Sequence, residues 1–125
     1  MKGLTLDAGA LIALDRGQRR TSLLVWNALK KKVTLAIPAG VLGQAWRDGR
    51  KQARLAKLLR ARNVEVEPLD ERRARAAGQL CGVRGTSDII DASVVLCAKR
   101  RGHRVVTSDA ADLERLDPSI ELEAL

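Results

Sequence analysis

Apolar residues recur along this chain in short runs set off by charged and turn-forming positions. Residues 3–6 form a short apolar run that fits a buried strand, and Ala8–Asp15 continue as a helix with Gly17 near its end. Thr21–Lys32 reads as a second helix. Leu23, Leu24, Asn27 and Ala28 lie near one face of it, and Lys30–Lys32 suit a carboxyl-terminal end. Thr34–Ile37 is a strand stopped by Pro38, and Ala39–Asp48 is helical up to Gly49. Arg50–Arg62 is predicted as an amphipathic helix with Leu55, Leu58 and Leu59 on one side. Val64–Glu67 is a strand, Asp70 caps a helix running to about Cys81, and Gly82–Thr86 is a loop. The body of Ser87–Arg101 is almost continuously apolar from Ile89 to Ala98, which predicts a largely buried helix ended by Gly102. A strand over Arg104–Thr107, a short helix over Ala110–Leu116 and a last strand over Ser119–Leu122 complete the pattern.

Strands alternating with helices predict an α/β fold, a three-layer α/β/α sandwich on a central, mostly parallel, Rossmann-like sheet. No repeat, low-complexity run or linker divides residues 1–125, so one domain is expected. In such sheets ligands sit beyond the carboxyl ends of the strands, where strand order switches direction. Asp7 and Asp109 each follow a predicted strand, and Asp88 and Asp91 lie at the start of the buried helix.

Composition narrows the picture in three ways. With no Phe or Tyr and only two Trp, Trp26 and Trp46, the core must be aliphatic. No apolar stretch is long enough to span a membrane and no export signal is visible, so a cytoplasmic protein with no membrane partner is expected. Cys81 and Cys97 form no CxxC pattern and fit reduced structural thiols on separate helices. The net charge of +8 favours a polyanionic partner or substrate. It is unevenly placed, with seven basic residues and one acidic from Arg47 to Arg62, and six acidic and one basic from Val105 to Leu125.

Each carboxylate has a structural explanation of its own. Asp7, Asp88 and Asp109 suit N-caps, Asp91 suits a capping-box position, and Asp112 suits the positive end of a helix. Capping does not require several helix starts to bring carboxylates to the same edge of adjacent strands. Carboxylates gathered without cationic partners are unfavourable unless something positive joins them, and hard oxygen donors suit Mg²⁺ or Mn²⁺. Other chemistries lack parts. The one histidine, His103, stands at a strand entrance, neither cysteine has an activating neighbour, and there is no GxGxxG or phosphate loop. Metal-assisted hydrolysis is what the residues support.

Four segments together resemble the PIN-domain proteins, specifically the toxins of VapBC-type toxin–antitoxin pairs. They are Leu6–Leu14, Ile37–Trp46, the Asp88-Ile89-Ile90-Asp91-Ala92 opening of the buried helix, and Val106–Leu113. The resemblance spans essentially the whole chain. It implies an Mg²⁺- or Mn²⁺-dependent endoribonuclease leaving a 5′-phosphate and a 3′-hydroxyl, with an antitoxin partner and a homodimeric state. Carried over by motif, Asp7, Asp91 and Asp109 match the catalytic and metal-binding acids. Asp112 matches a frequent extra acid, Asp88 is an additional carboxylate beside the site, and Thr107 or Ser108 matches a hydroxyl next to the last acid. Gln44 stands where the family usually has Glu; its amide oxygen can ligate a hard cation but adds no charge.

Arg47, Arg50, Arg54 and Lys57 recur at helical spacing and read either as a solvated helix face or as a track for RNA phosphates. Trp26 and Trp46 read as packing residues. Two further readings stay open: a catalytically weak or inactive PIN-fold module that binds RNA or protein, motivated by Gln44, and a phosphohydrolase acting on small phosphoesters.

Overall fold

The computed structural model describes residues 2–125. Its five strands are β1 (Leu4–Leu6), β2 (Leu35–Pro38), β3 (Val64–Glu67), β4 (Arg104–Thr107) and β5 (Leu122–Ala124). They form one sheet in the order β3-β2-β1-β4-β5, and every neighbouring pair is parallel. The helices are α1 (Ala8–Asp15), α2 (Arg19–Lys30), α3 (Ala39–Ala45), α4 (Ala53–Leu59), α5 (Glu71–Arg84), α6 (Ile89–Arg101) and α7 (Ala110–Leu116).

From β1 the chain steps outward through β2 to β3, then returns across the sheet to β4 and β5. Right-handed crossovers in these opposite directions put α1, α2 and α4 on one face and α5, α6 and α7 on the other. The contacts agree: α1 packs against α2 and α4, and α6 against α5 and α7. The reversal falls between β1 and β4, so the ligand-binding crevice of such a sheet opens beside the ends of those two strands. Leu6, Leu11, Leu14, Leu35, Ile37, Val94, Val105 and Val106 are buried at its heart, an aliphatic core as composition requires.

Several boundaries differ from the pattern-based reading. The second helix begins at Arg19 and ends at Lys30, and it buries Thr21, Val25 and Ala28 while Leu23 and Asn27 face solvent. Its apolar residues satisfy two overlapping stripes, and docking on α1 selects the one centred on Val25. The two helices expected over 39–48 and 50–62 are shorter. Trp46 turns to extended backbone after Ala45, and buried Gln52 fastens the connection by accepting from the Arg47 and Asp48 amides and donating to the Ala45 carbonyl. The expected loop at 82–86 is helical through Arg84, and left-handed Gly85 (φ 68°) caps α5. The last strand is Leu122–Ala124; residues 119–120 lie in a turn whose Ser119 amide donates to Asp117. His103, at the entrance to β4, is half-buried with Nδ1 3.0 Å from the Thr5 hydroxyl. Cys81 and Cys97 are free, buried thiols on α5 and α6. Among the described residues no helix is long and apolar enough to cross a membrane.

Candidate active site

β1 and β4 run in register, and the Asp7 amide continues the ladder by donating to the Val106 carbonyl at 3.2 Å. That pairing brings Asp7, after β1, beside Thr107, Ser108 and Asp109, at and after the end of β4. Asp7 is only 6% exposed. It caps α1, Oδ1 accepting from the Ala10 amide at 2.9 Å. Burial raises its pKa, and hydrogen bonds from the Thr107 hydroxyl and the Ala10 and Gly9 amides offset this only in part. Thr107 is fully buried, and its hydroxyl also accepts from the Asp109 amide at 2.8 Å, so one side chain ties both strand ends. Gly9 lets them approach: a Cβ there would lie 2.0 Å from Ser108 Oγ.

The third contribution comes from the start of α6. Asp88 caps that helix, accepting from the Asp91 amide at 2.9 Å. Asp91 is half-buried, and burial together with the charges of Asp88, Asp112 and Asp109 raises its pKa to about 7. Asp109 sits at the head of α7 but makes no side-chain cap bond. A hydrogen bond with Asp112, then burial and the charges of Asp112 and Asp7, raise it too. These mutual effects place Asp7, Asp88, Asp91, Asp109 and Asp112 in one electrostatic neighbourhood. Among the described residues none of the five has a salt-bridge partner.

Glu67 provides the contrast. It too ends a strand, β3, and is 5% exposed. Burial would raise it, but Arg100 reverses that, aided by Arg73, and holds the carboxyl below its ordinary range. The fold supplies cations to this strand-end carboxylate and withholds them from the five at the β1–β4 crevice. Sequence reading passed over Glu67 because its partners come from two helices, Arg73 on the neighbouring α5 and Arg100 and Arg101 on the distant α6, and only the fold brings both to it. It also passed over Gln52; a lone Gln after a basic run gives no local signal of a buried hub.

The other expected positions divide. Gln44 is exposed on α3, a helix that touches both α1 and α6 and so stands near the crevice. No hydrogen bond links it to a carboxylate among the described residues. Asp48, one turn on by sequence, is off the helix and paired with Arg50. The basic stripe is not a helix face. Arg47 and Arg50 precede α4, and each cation has a partner within the chain: Arg47 on the Gly43 and Trp46 carbonyls, Arg50 on Asp48, Arg54 on the Asp15 carbonyl, and Lys57 over the Trp26 ring at 4.9 Å. Trp26 and Trp46 are partly buried packing residues, as expected.

The PIN-domain family model matches residues 4–117. The chain belongs to the PIN-domain family. This PIN domain is similar in fold to VapBC2 from Rickettsia felis, solved bound to a DNA fragment from their promoter (TM-score 0.69, 17% identity, 98% of each chain covered). It is also similar to PAE2754 from Pyrobaculum aerophilum (TM-score 0.65, 21% identity, 97% of this chain and 90% of that one). FitAB bound to an IR36 DNA fragment gives a TM-score of 0.64 at 13% identity over 97% of this chain and 94% of that one. A comparison with curated proteins gave no match.

The donor set fits a hard divalent cation in chemistry: carboxylate oxygens, proton affinity raised at Asp7, Asp91 and Asp109 by burial and neighbouring carboxylates, and no cation among their partners. The side chains are not drawn to one point. Among the described residues no three His, Cys, Asp or Glu groups are arranged to share one ion.

Proposed function

We propose that this PIN domain is a metal-dependent endoribonuclease, the toxin of a toxin–antitoxin pair. The observation that carries the reading is the set of carboxylates without cationic partners at the switch point between β1 and β4. Membership of a nuclease family supports the hydrolase class. Asp7, Asp91 and Asp109 would hold Mg²⁺ or Mn²⁺, with Asp88, Asp112 and Gln44 at the margin. The bound ion supplies a water of lowered pKa and neutralises charge growing on the phosphate. The protein's part is positioning. Thr107 fixes Asp7 and the Asp109 backbone to each other, and Gly9 keeps the approach to Ser108 open.

VapBC2 and FitAB were both solved bound to DNA, and their likeness to this fold supports an antitoxin partner here. A homodimer and a cytoplasmic location belong to the same proposal. A second reading, a PIN-fold module that binds RNA or protein without cutting, is favoured by the uncharged Gln44 and by acids not yet gathered around one point.

Purified protein incubated with structured RNA should cleave it with Mg²⁺ or Mn²⁺ and stop on adding EDTA. Asp7→Asn, which keeps a good cap residue, should reduce the rate at least about a hundredfold, the scale of losing one transition-state electrostatic contact. Binding without cleavage in both metals would favour the second reading. Gln44→Glu should enlarge the thermal stabilisation given by either metal.

A further inference from the structure

The unpaired cations of this protein are concentrated on one side of the sheet. Residues 16–64, from just after α1 through α2, α3 and α4, contain thirteen basic residues and one acidic, Asp48. The remaining residues contain ten basic and fourteen acidic. Ion pairing follows the same division. Among the described residues seven of those ten cations form a salt bridge, but only Arg50 of the thirteen does.

Part of this surplus lines a furrow between the ends of α2 and α4. Its floor is Trp26, Leu29 and Ala61, all partly buried, and Lys30, Lys57 and Arg60 stand around it. It continues past Leu29 to Lys32, Arg62 and Asn63. Lys30, Lys31, Lys32, Arg60 and Arg62 are exposed, with no carboxylate against them among the described residues. The furrow's position is fixed by the strands it feeds. The Leu4 amide bonds the Thr34 carbonyl and the Leu35 amide the Asn63 carbonyl, so these segments enter the amino-terminal edge of the parallel sheet. The acidic crevice is on the opposite edge.

We infer that the α2–α4 furrow is a second docking surface, remote from the carboxylates, that grips the sugar–phosphate backbone of the RNA. This rests on the nuclease reading and locates its substrate. Four free cations line it, Lys30, Lys32, Arg60 and Arg62, with Lys31 beside them in sequence; without acceptors or acids they match phosphates rather than base edges, so binding is strong in charge and weak in sequence. A folded acidic protein fits less well, because the apolar floor is three partly buried residues. The arrangement also solves an electrostatic problem. A cluster of carboxylates repels phosphate, and a basic surface on the same molecule holds the polyanion while one phosphodiester enters the crevice.

The test uses the full chain with Asp7→Asn, so that RNA is bound without being cut. Labelled single-stranded RNA is titrated by fluorescence anisotropy over a salt series, with and without the added changes Lys30→Gln, Lys31→Gln, Arg60→Gln and Arg62→Gln. Loss of four phosphate contacts should flatten the plot of log affinity against log salt by about 3, at roughly 0.7 per contact. Lys30→Arg, Lys31→Arg, Arg60→Lys and Arg62→Lys together should restore the slope. With Asp7 left unaltered, so that RNA is cut, the four neutral changes should raise KM for long RNA and leave cleavage of a short oligonucleotide unchanged. An unchanged slope overturns the proposal, as does polyglutamate of matched charge displacing RNA as well as RNA itself does. Equal loss on short and long RNA would overturn its remoteness. If the unaltered protein cuts no RNA with either metal, the nuclease reading fails while the salt slope still judges the furrow.

Discussion

Asp91 is held in a state that a free carboxylate would not adopt. Burial first, then the charges of Asp88, Asp112 and Asp109, push it up to about 7 from an ordinary value near 3.8. Between those values the folded chain binds more protons than the unfolded one, so this group's stabilisation is full below the lower value and lost as pH rises through about 7. Asp91→Asn removes the charge at every pH. Its melting midpoint should exceed that of the unaltered protein at about pH 8, and the difference should shrink towards about pH 5, where Asp91 is already protonated. Divalent metal should reverse the order, raising the unaltered protein more at the higher pH because binding requires the carboxylate form. A difference independent of pH would show that Asp91 does not titrate in this range. The sequence made Asp91 a candidate by its place at a helix start. The raised proton affinity was not legible there, because burial, its largest cause, and the approach of Asp109 and Asp112 arise only in the fold.

Glu67 works at the scale of elements, with the opposite sign. It ties β3 to α5 through Arg73 and to α6 through Arg100 and Arg101. Glu67→Gln leaves three guanidinium groups without that carboxylate, at a cost of about 2 kcal/mol, below the usual figure for a buried pair because the arginines are partly exposed. Its pKa is lowered, so its stabilisation is present above the ordinary value near 4.5 and lost as pH falls below it. The loss on mutation should therefore appear in melts at neutral pH and fade in acid, while metal stabilisation at the β1–β4 crevice stays intact. This link also marks where sequence reading stops. The alternation of strands and helices, the buried α6 and the meeting of β1 with β4 were legible because local patterning and a parallel sheet dictate them. The face α2 buries, the short α3 and α4 and the partners of Glu67 were not. None is set by apolar periodicity: α2 docks on α1, the Gln52 side chain bonds the Arg47 and Asp48 amides, and arginines from α5 and α6 meet Glu67.

Across the whole molecule the charge is unequally placed: residues 16–64, which make up most of one layer, carry thirteen cations and one acid, and the rest, including α1 of that layer with Asp15, carry ten and fourteen. Like charges crowded on residues 16–64 repel within about 10 Å at moderate ionic strength, and added salt screens them. Salt also weakens ion pairs, which are concentrated in the rest of the chain. Exposed pairs contribute only about 0–1 kcal/mol each, and the buried Glu67 group is screened less. Repulsion should therefore dominate the response. The melting midpoint should rise between low and physiological salt, where a gain of about 1 kcal/mol would read as roughly 4 °C. Replacing Lys30, Lys31, Arg60 and Arg62 by Gln should raise the low-salt midpoint and reduce the further rise with salt, because the repulsion is then already relieved. A midpoint that falls with salt would mean that the ion pairs outweigh the uncompensated layer, and that the basic surface is less strained than its charge requires.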